Sequence, residues 1–136
     1  ALAGTQEEYE YYYDLVFDRL DWLEERLSTR RYLMGDTITS PDIRLFVTLT
    51  RFDLVFYQKY FLNKKRLVDY PNLWNYAKDL FSNPAFGGNT DFNSMRLRFY
   101  YVDHTPFADM PRLMPKGPDD SRWLEPNDRA EKFSKK

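Results

Sequence analysis

The sequence has no cysteine and a single histidine, His104. The first absence removes disulfides, thiol catalysis and thiolate metal sites from this chain. The second leaves no ligand set for zinc, and a lone histidine after a helix reads as a capping or packing residue. Fully apolar runs are only a few residues long, far short of a membrane span. Neither sign of charge is in excess: the net charge is −1, and the one local basic cluster, Lys64-Lys65-Arg66, reads as a solvated loop. No basic face for nucleic acid is expected. Glycine-rich phosphate loops, HExxH and a Ser-His-Asp arrangement are all missing. The chain begins at Ala1 without a methionine or a signal-type apolar segment, so the expectation is a processed or partial product. Removal of a targeting segment would leave it in the cytoplasm or an organelle.

Aromatic residues are what the chain has in abundance, with eleven Tyr, eleven Phe and three Trp in 136 residues. Two readings stand: a core filled with large rings, or an aromatic-walled pocket or docking surface. The phenols Tyr57, Tyr60, Tyr100 and Tyr101 are the remaining candidates for chemistry, since a phenol can donate to a developing oxyanion or a quinone-type oxygen. Core packing with a wet hydroxyl explains their spacing equally well.

The pattern of the chain is all-α. Thr5 with Glu8 is a capping box opening a helix from Thr5 to Ser28. Tyr9, Tyr13, Val16, Leu20, Leu23 and Leu27, in steps of four and three, form its inner stripe, and Glu10, Asp14, Asp18, Asp21 and Glu24 lie away from it. Gly35 turns the connection that follows. Thr39 and Asp42 then have capping-box spacing, Pro41 sits in the first turn, and Ile38 and Ile43 flank the cap as a hydrophobic staple. The helix behind this cap is apolar on nearly every side, which predicts a central, surrounded position, with Arg44, Arg51 and Asp53 in ion pairs or caps. Asp69-Tyr70-Pro71 opens a third helix carrying Leu73, Trp74, Ala77, Leu80 and Phe81 inward, stopped by Asn83-Pro84. Gly87-Gly88-Asn89 reads as a loop and Asp91 to Tyr101 as a fourth helix. Beyond His104, five prolines forbid regular helix. Phe107, Met110, Leu113, Met114 and Trp123 are nevertheless too apolar for a free tail. The expected organisation is a helical domain over 1–104 and an extended strap over 105–136, packed on the helices.

The segment Tyr32-Leu33-Met34-Gly35-Asp36-Thr37-Ile38-Thr39-Ser40-Pro41-Asp42 resembles the box-and-staple start of the central helix in glutathione transferases. Arg44-Leu45-Phe46, Thr48-Leu49, Arg51-Phe52-Asp53, Asn63-Lys64-Lys65-Arg66 and Asp69-Tyr70-Pro71-Asn72-Leu73 narrow the resemblance to the C-terminal helical domain of the glutathionyl-hydroquinone reductases, the Xi-class transferases. Phe99-Tyr100-Tyr101 with His104, Pro115 with Gly117-Pro118, and Glu125-Pro126 with Arg129 and Phe133 extend it over nearly the whole chain. The resemblance implies a thioredoxin-like N-terminal domain that carries the catalytic cysteine and the glutathione site. The helical domain would supply the wall for an aromatic substrate. On this basis Tyr100, with Tyr101 beside it, is a pocket donor. Phe56 stands where a second pocket tyrosine is expected, Tyr57 is next to it but about 100° away on a helix, and Phe99 stands where a histidine is expected. A third pocket tyrosine would lie before Ala1.

Two functions follow. The missing thiol and the lost polar wall positions favour a non-catalytic accessory subunit of a larger assembly; the alternative is the substrate-pocket half of a glutathione-dependent reductase. In either case the chain alone is expected to catalyse nothing and to need no cofactor, with glutathione entering only with a thioredoxin-like domain. A protein partner is expected on an apolar face around Tyr9, Tyr12, Tyr13, Phe56 and Tyr57.

Overall fold

The computed structural model describes residues 3–102 and 113–134, and every regular element among them is helical. His104, Phe107 and Met110 lie outside the described residues. The first helix, α1, is Gln6–Thr29, with the Thr5 hydroxyl accepting from the amide of Glu8. Its core residues are Phe17, Leu20, Leu23 and Leu27, while Tyr9, Tyr13 and Val16 are only partly covered. Phe17 lies beside the expected stripe because the buried arc of a packed helix is wider than one seam. Glu24, expected on the solvent side, accepts from Asn72 N (2.8 Å), Asn72 Nδ2 (2.9 Å) and Leu73 N (2.7 Å).

Those bonds cap α4, Pro71–Ser82, whose own N-cap residue, Tyr70, makes no side-chain cap bond. Asp69 instead closes the 3-10 turn Leu67–Asp69, accepting from Arg66 N and pairing with the Arg66 guanidinium. The capping carboxylate is therefore donated from another helix, which the local sequence cannot reveal.

The central helix is α4 and not, as its apolar composition predicted, α2, Ser40–Arg51. α4 packs against α1, α2, the one-turn helices α5 (Pro84–Gly87) and α7 (Arg129–Lys132), and the 3-10 turns at Leu67–Asp69 and Asp120–Leu124. Even its polar residues are buried and paired: Asp79 takes both arms of Arg31 at 3.0 Å, and Lys78 donates to Pro126 O. By contrast Ile43 and Val47 of α2 remain about half exposed, at 53% and 47%. One face of α2 is unpartnered among the described residues.

The cap of α2 is built as expected and carries more than expected. Asp42, fully buried, accepts from Thr39 N (2.8 Å) and Thr39 Oγ1 (2.9 Å). It also accepts from Leu33 N at 2.9 Å and Tyr76 Oη at 2.8 Å. It therefore ties the preceding loop and α4 to the start of α2. Burial first, and then the bond to this carboxylate, push the Tyr76 phenol far above its ordinary range.

α5 ends on Gly87, at the start of the stretch expected to be a loop, and packs so tightly that a Cβ there would run into the Phe81 carbonyl oxygen. α6, Phe92–Leu97, follows with Asp91 as its cap. The C-terminal strap is less extended than its prolines suggested, because a 3-10 turn (Asp120–Leu124) fits between Pro118 and Pro126 and α7 follows the last proline. Trp123 is inserted among Phe46, Trp74, Phe81 and Phe92, whereas Leu113 is exposed. Arg129 is 1% exposed. Its guanidinium donates to Leu27 O (3.1 Å), Arg30 O (2.5 Å) and Arg31 O (2.6 Å), closing the C-terminal end of α1.

Candidate functional site

Phe56 and Tyr100 both sit on π turns. The first π turn, Phe52–Phe56, continues α2 into the short helix α3, Tyr57–Lys59; the second, Arg98–Val102, continues α6. A π turn widens the helix by one residue and disturbs its ladder of carbonyl acceptors, a feature that recurs at functional sites. Here the two turns are clasped. Tyr100 Oη donates to Leu54 O in the first turn at 2.7 Å. Lys59 Nζ donates to Phe99 O in the second.

Lys59 is the centre that sequence reasoning missed. Its ammonium lies 5.6 Å from the ring centroids of both Tyr60 and Tyr100, within range of a cation–π contact. The Phe56 ring packs 6.1 Å from Tyr60 and 6.3 Å from Phe52. The result is a wall of rings with one cation among them. Tyr101, at 39% exposed, lies nearer to solvent, and Tyr57 is half-buried. Of the four predicted wall residues, the structure links Phe56 and Tyr100 through shared neighbours.

The floor is held from below. Asp53 accepts from Leu67 N (2.5 Å) and Val68 N (3.4 Å), and Gln58 Nε2 donates to the carbonyls of Asp53 and Gly117. Burial raises the Asp53 carboxyl above its ordinary value, opposed by those two amides and by Arg66. Asp53 thus has the capping role expected of it, and Arg51 turns back onto Val47 O at 2.7 Å. Beyond Tyr60 the chain reverses at Phe61, whose φ of +57° is unusual for a bulky residue. Leu62 N donates to Phe56 O and Tyr9 Oη to Phe61 O, holding that reversal in place.

Ring faces beside one cation are chemistry that suits a flat ring carrying a polar group. The Tyr100 proton is engaged with Leu54 O, so what the phenol oxygen retains for other chemistry is its capacity to accept. Burial also raises the Tyr100 pKa, which keeps the phenol neutral. No group of three or more metal-ligating side chains occurs among the described residues. Two cavities lie beside it: one of about 150 Å³ under the strap, which shares Asp53, Leu54, Arg66 and Val68 with this region, and a groove of about 310 Å³ between α2 and α5.

Residues 6–79 match the family model described as glutathione S-transferase, C-terminal domain. The chain is 40% identical to glutathionyl-hydroquinone reductase PcpF of Sphingobium chlorophenolicum, over 85% of this chain and 36% of that protein. It superposes on a glutathione transferase from Gordonia bronchialis with a TM-score of 0.89 and 45% identity, covering 98% of this chain and 41% of that one. For the Xi-class glutathione transferase of Phanerochaete chrysosporium the TM-score is 0.79 at 36% identity, over 87% and 38% of the two chains. The chain spans about a third of the length of the curated relatives it matches.

Proposed function

Since this chain belongs to the glutathione S-transferase C-terminal domain family and, within it, resembles the glutathionyl-hydroquinone reductases, we propose that it forms the aromatic-substrate wall of such a reductase. It would work with a thioredoxin-like domain that holds glutathione. The thiol that attacks the glutathionyl thioether must come from that domain, because this chain has no cysteine. What supports this reading over a non-catalytic accessory subunit is the match to reductases over most of the chain. The observation that carries it is the pair of clasped π turns, which hold Phe56, Tyr60 and Tyr100 around Lys59. In this role the rings take the face of the hydroquinone, and the Tyr100 oxygen accepts a hydrogen bond from one of its hydroxyls.

The test joins this chain to the part of PcpF that the match leaves uncovered, where a thioredoxin-like domain is expected, and measures reduction of a glutathionyl-methylhydroquinone. Turnover is expected, and Tyr100→Phe should lower kcat/KM by roughly five- to tenfold, the worth of about one hydrogen bond. A fusion that folds and binds glutathione but neither binds nor reduces the substrate would overturn the proposal and restore the accessory-subunit reading.

A further inference from the structure

The strap does more than close the core, because the cavity of about 150 Å³ lies between it and the first π turn. Arg96 pins the roof of this cavity, donating to Pro118 O at 3.1 Å and to the two oxygens of Asp120 at 2.6 and 2.7 Å. Trp74 meets Trp123 edge to face with ring centroids 4.9 Å apart, and Phe92 lies 5.6 Å from Trp123. All three rings line the cavity, and Leu54 and Val68 add aliphatic wall. An apolar cavity of about this volume holds a benzene-sized ring.

Five charged side chains also line it, Asp53, Arg66, Asp119, Asp120 and Arg122, and their pairing decides which sign of ligand the cavity suits. Both guanidiniums are matched by acids outside the lining, Arg66 by Asp69 and Arg122 by Glu125, and Asp120 is matched by Arg96. Asp53 and Asp119 are held only by neutral donors. Asp53 accepts from the amides of Leu67 and Val68, and Asp119 from Ser121 N at 3.0 Å and Ser121 Oγ at 2.8 Å. No cation pairs with either carboxylate among the described residues. Asp119 is exposed, whereas Asp53 is partly buried. Burial raises the Asp53 carboxyl, a cost that a cation beside it relieves. Uncompensated carboxylate charge next to ring faces suits a cation that carries a ring of its own. We propose that this cavity binds a small monocyclic aromatic ammonium, with its ring among Trp74, Phe92 and Trp123 and its N–H groups donating to Asp53. The inference stands apart from the reductase reading, since Phe56, Tyr60 and Tyr100 of the hydroquinone wall do not line the cavity. The two sites meet at Leu54, which lines the cavity and whose carbonyl takes the Tyr100 proton.

Benzylammonium is the probe that tests it, with tryptophan fluorescence as the readout. Trp22, the one indole outside the cavity, is half exposed on α1, so a Trp22→Phe background leaves only Trp74 and Trp123 to report. A saturable change is expected at neutral pH. Benzyl alcohol, benzoate and methylammonium should each bind about tenfold more weakly or worse, because each lacks either the cation or the ring. Methylhydroquinone should not displace the probe. Asp53→Asn, with its fold checked by far-UV circular dichroism, should weaken benzylammonium by about tenfold and leave benzyl alcohol within about twofold. Should that variant fail to fold, Val68→Phe decides instead, since a larger side chain on the cavity wall should abolish binding by filling the space. The proposal is overturned by the absence of a saturable change, which would mean that the cavity holds only solvent. It is equally overturned by benzoate binding as tightly as benzylammonium, by binding undiminished in Asp53→Asn or Val68→Phe, or by displacement with methylhydroquinone, which would assign the probe to the wall.

Discussion

Replacing Asp42 with alanine should cost far more than the loss of a helix cap. A cap residue at a surface helix is worth about 1 kcal/mol, and the two bonds from Thr39 account for that much. The other two donors, Leu33 N and Tyr76 Oη, reach a carboxylate that is fully buried. Alanine leaves both without an acceptor in the interior, at roughly 1–3 kcal/mol each. The expected total is about 3–7 kcal/mol, a large part of the roughly 5–15 kcal/mol available to a domain of this size. Urea unfolding followed by far-UV circular dichroism reads this as a fall in midpoint at constant m. Thr39→Ala and Tyr76→Phe, at about 1 kcal/mol apiece, separate the local cap from the tertiary tie. A loss for Asp42→Ala no larger than that of Thr39→Ala would refute the reasoning, because it would mean that the bonds to the loop and to α4 contribute nothing.

Arg129→Ala should cost about 3 kcal/mol, since three carbonyls at the end of α1 lose a charged donor; limited proteolysis should then cut the strap, and an uncut strap would contradict its role as a lock. Trp123→Ala should cost about 3–5 kcal/mol by opening a cavity among four rings, again measured by urea unfolding. The Asp53 carboxyl is raised in the folded state by burial, so its contribution to stability is complete below the ordinary aspartate value and is lost as pH rises through the raised one. The wild-type minus Asp53→Asn difference in midpoint should therefore fall across that acidic window, and a flat difference would contradict it.

Helix starts were legible because their signals are local. Thr5 with Glu8 and Thr39 with Asp42 open their helices within four residues of chain, and Asn83-Pro84 stops α4 where a stop was expected. What could not be read was any device whose halves are far apart. Glu24 looked like a solvated acid because its partners, the amides of Asn72 and Leu73, are 48 and 49 residues away. The same blindness misplaced the centre of the fold. An all-round apolar helix was taken for the buried one, but α4 is central because Arg31, Pro126 and Asp42 satisfy its polar residues from three other segments. Apolar composition marks a face that has to be covered by something. It does not say that this chain does the covering, and Ile43 and Val47 stay exposed.

The candidate site repeats the lesson with a consequence for chemistry. Tyr100 was singled out as a donor because phenols donate, and the family resemblance pointed the same way. Its proton, however, is directed at Leu54 O, an acceptor made accessible by a π turn that no propensity signals. Lys59 went unnoticed because one lysine at the end of a short helix is indistinguishable in sequence from a solvated one. Its role comes from the carbonyl of Phe99, 40 residues on. Together these two bonds make the wall a single unit. Moving either π turn would shift both Tyr100 and Phe56, so a substitution at Lys59 should disturb ligand binding without touching the ligand. Lys59→Met keeps the length of the side chain and removes the donor. If the clasp sets the wall, Lys59→Met in the fusion with the PcpF domain should raise KM several-fold while glutathione binding stays unchanged. If KM does not move, the two turns are held by Tyr100 alone, and the cation among the rings has no part in shaping the site.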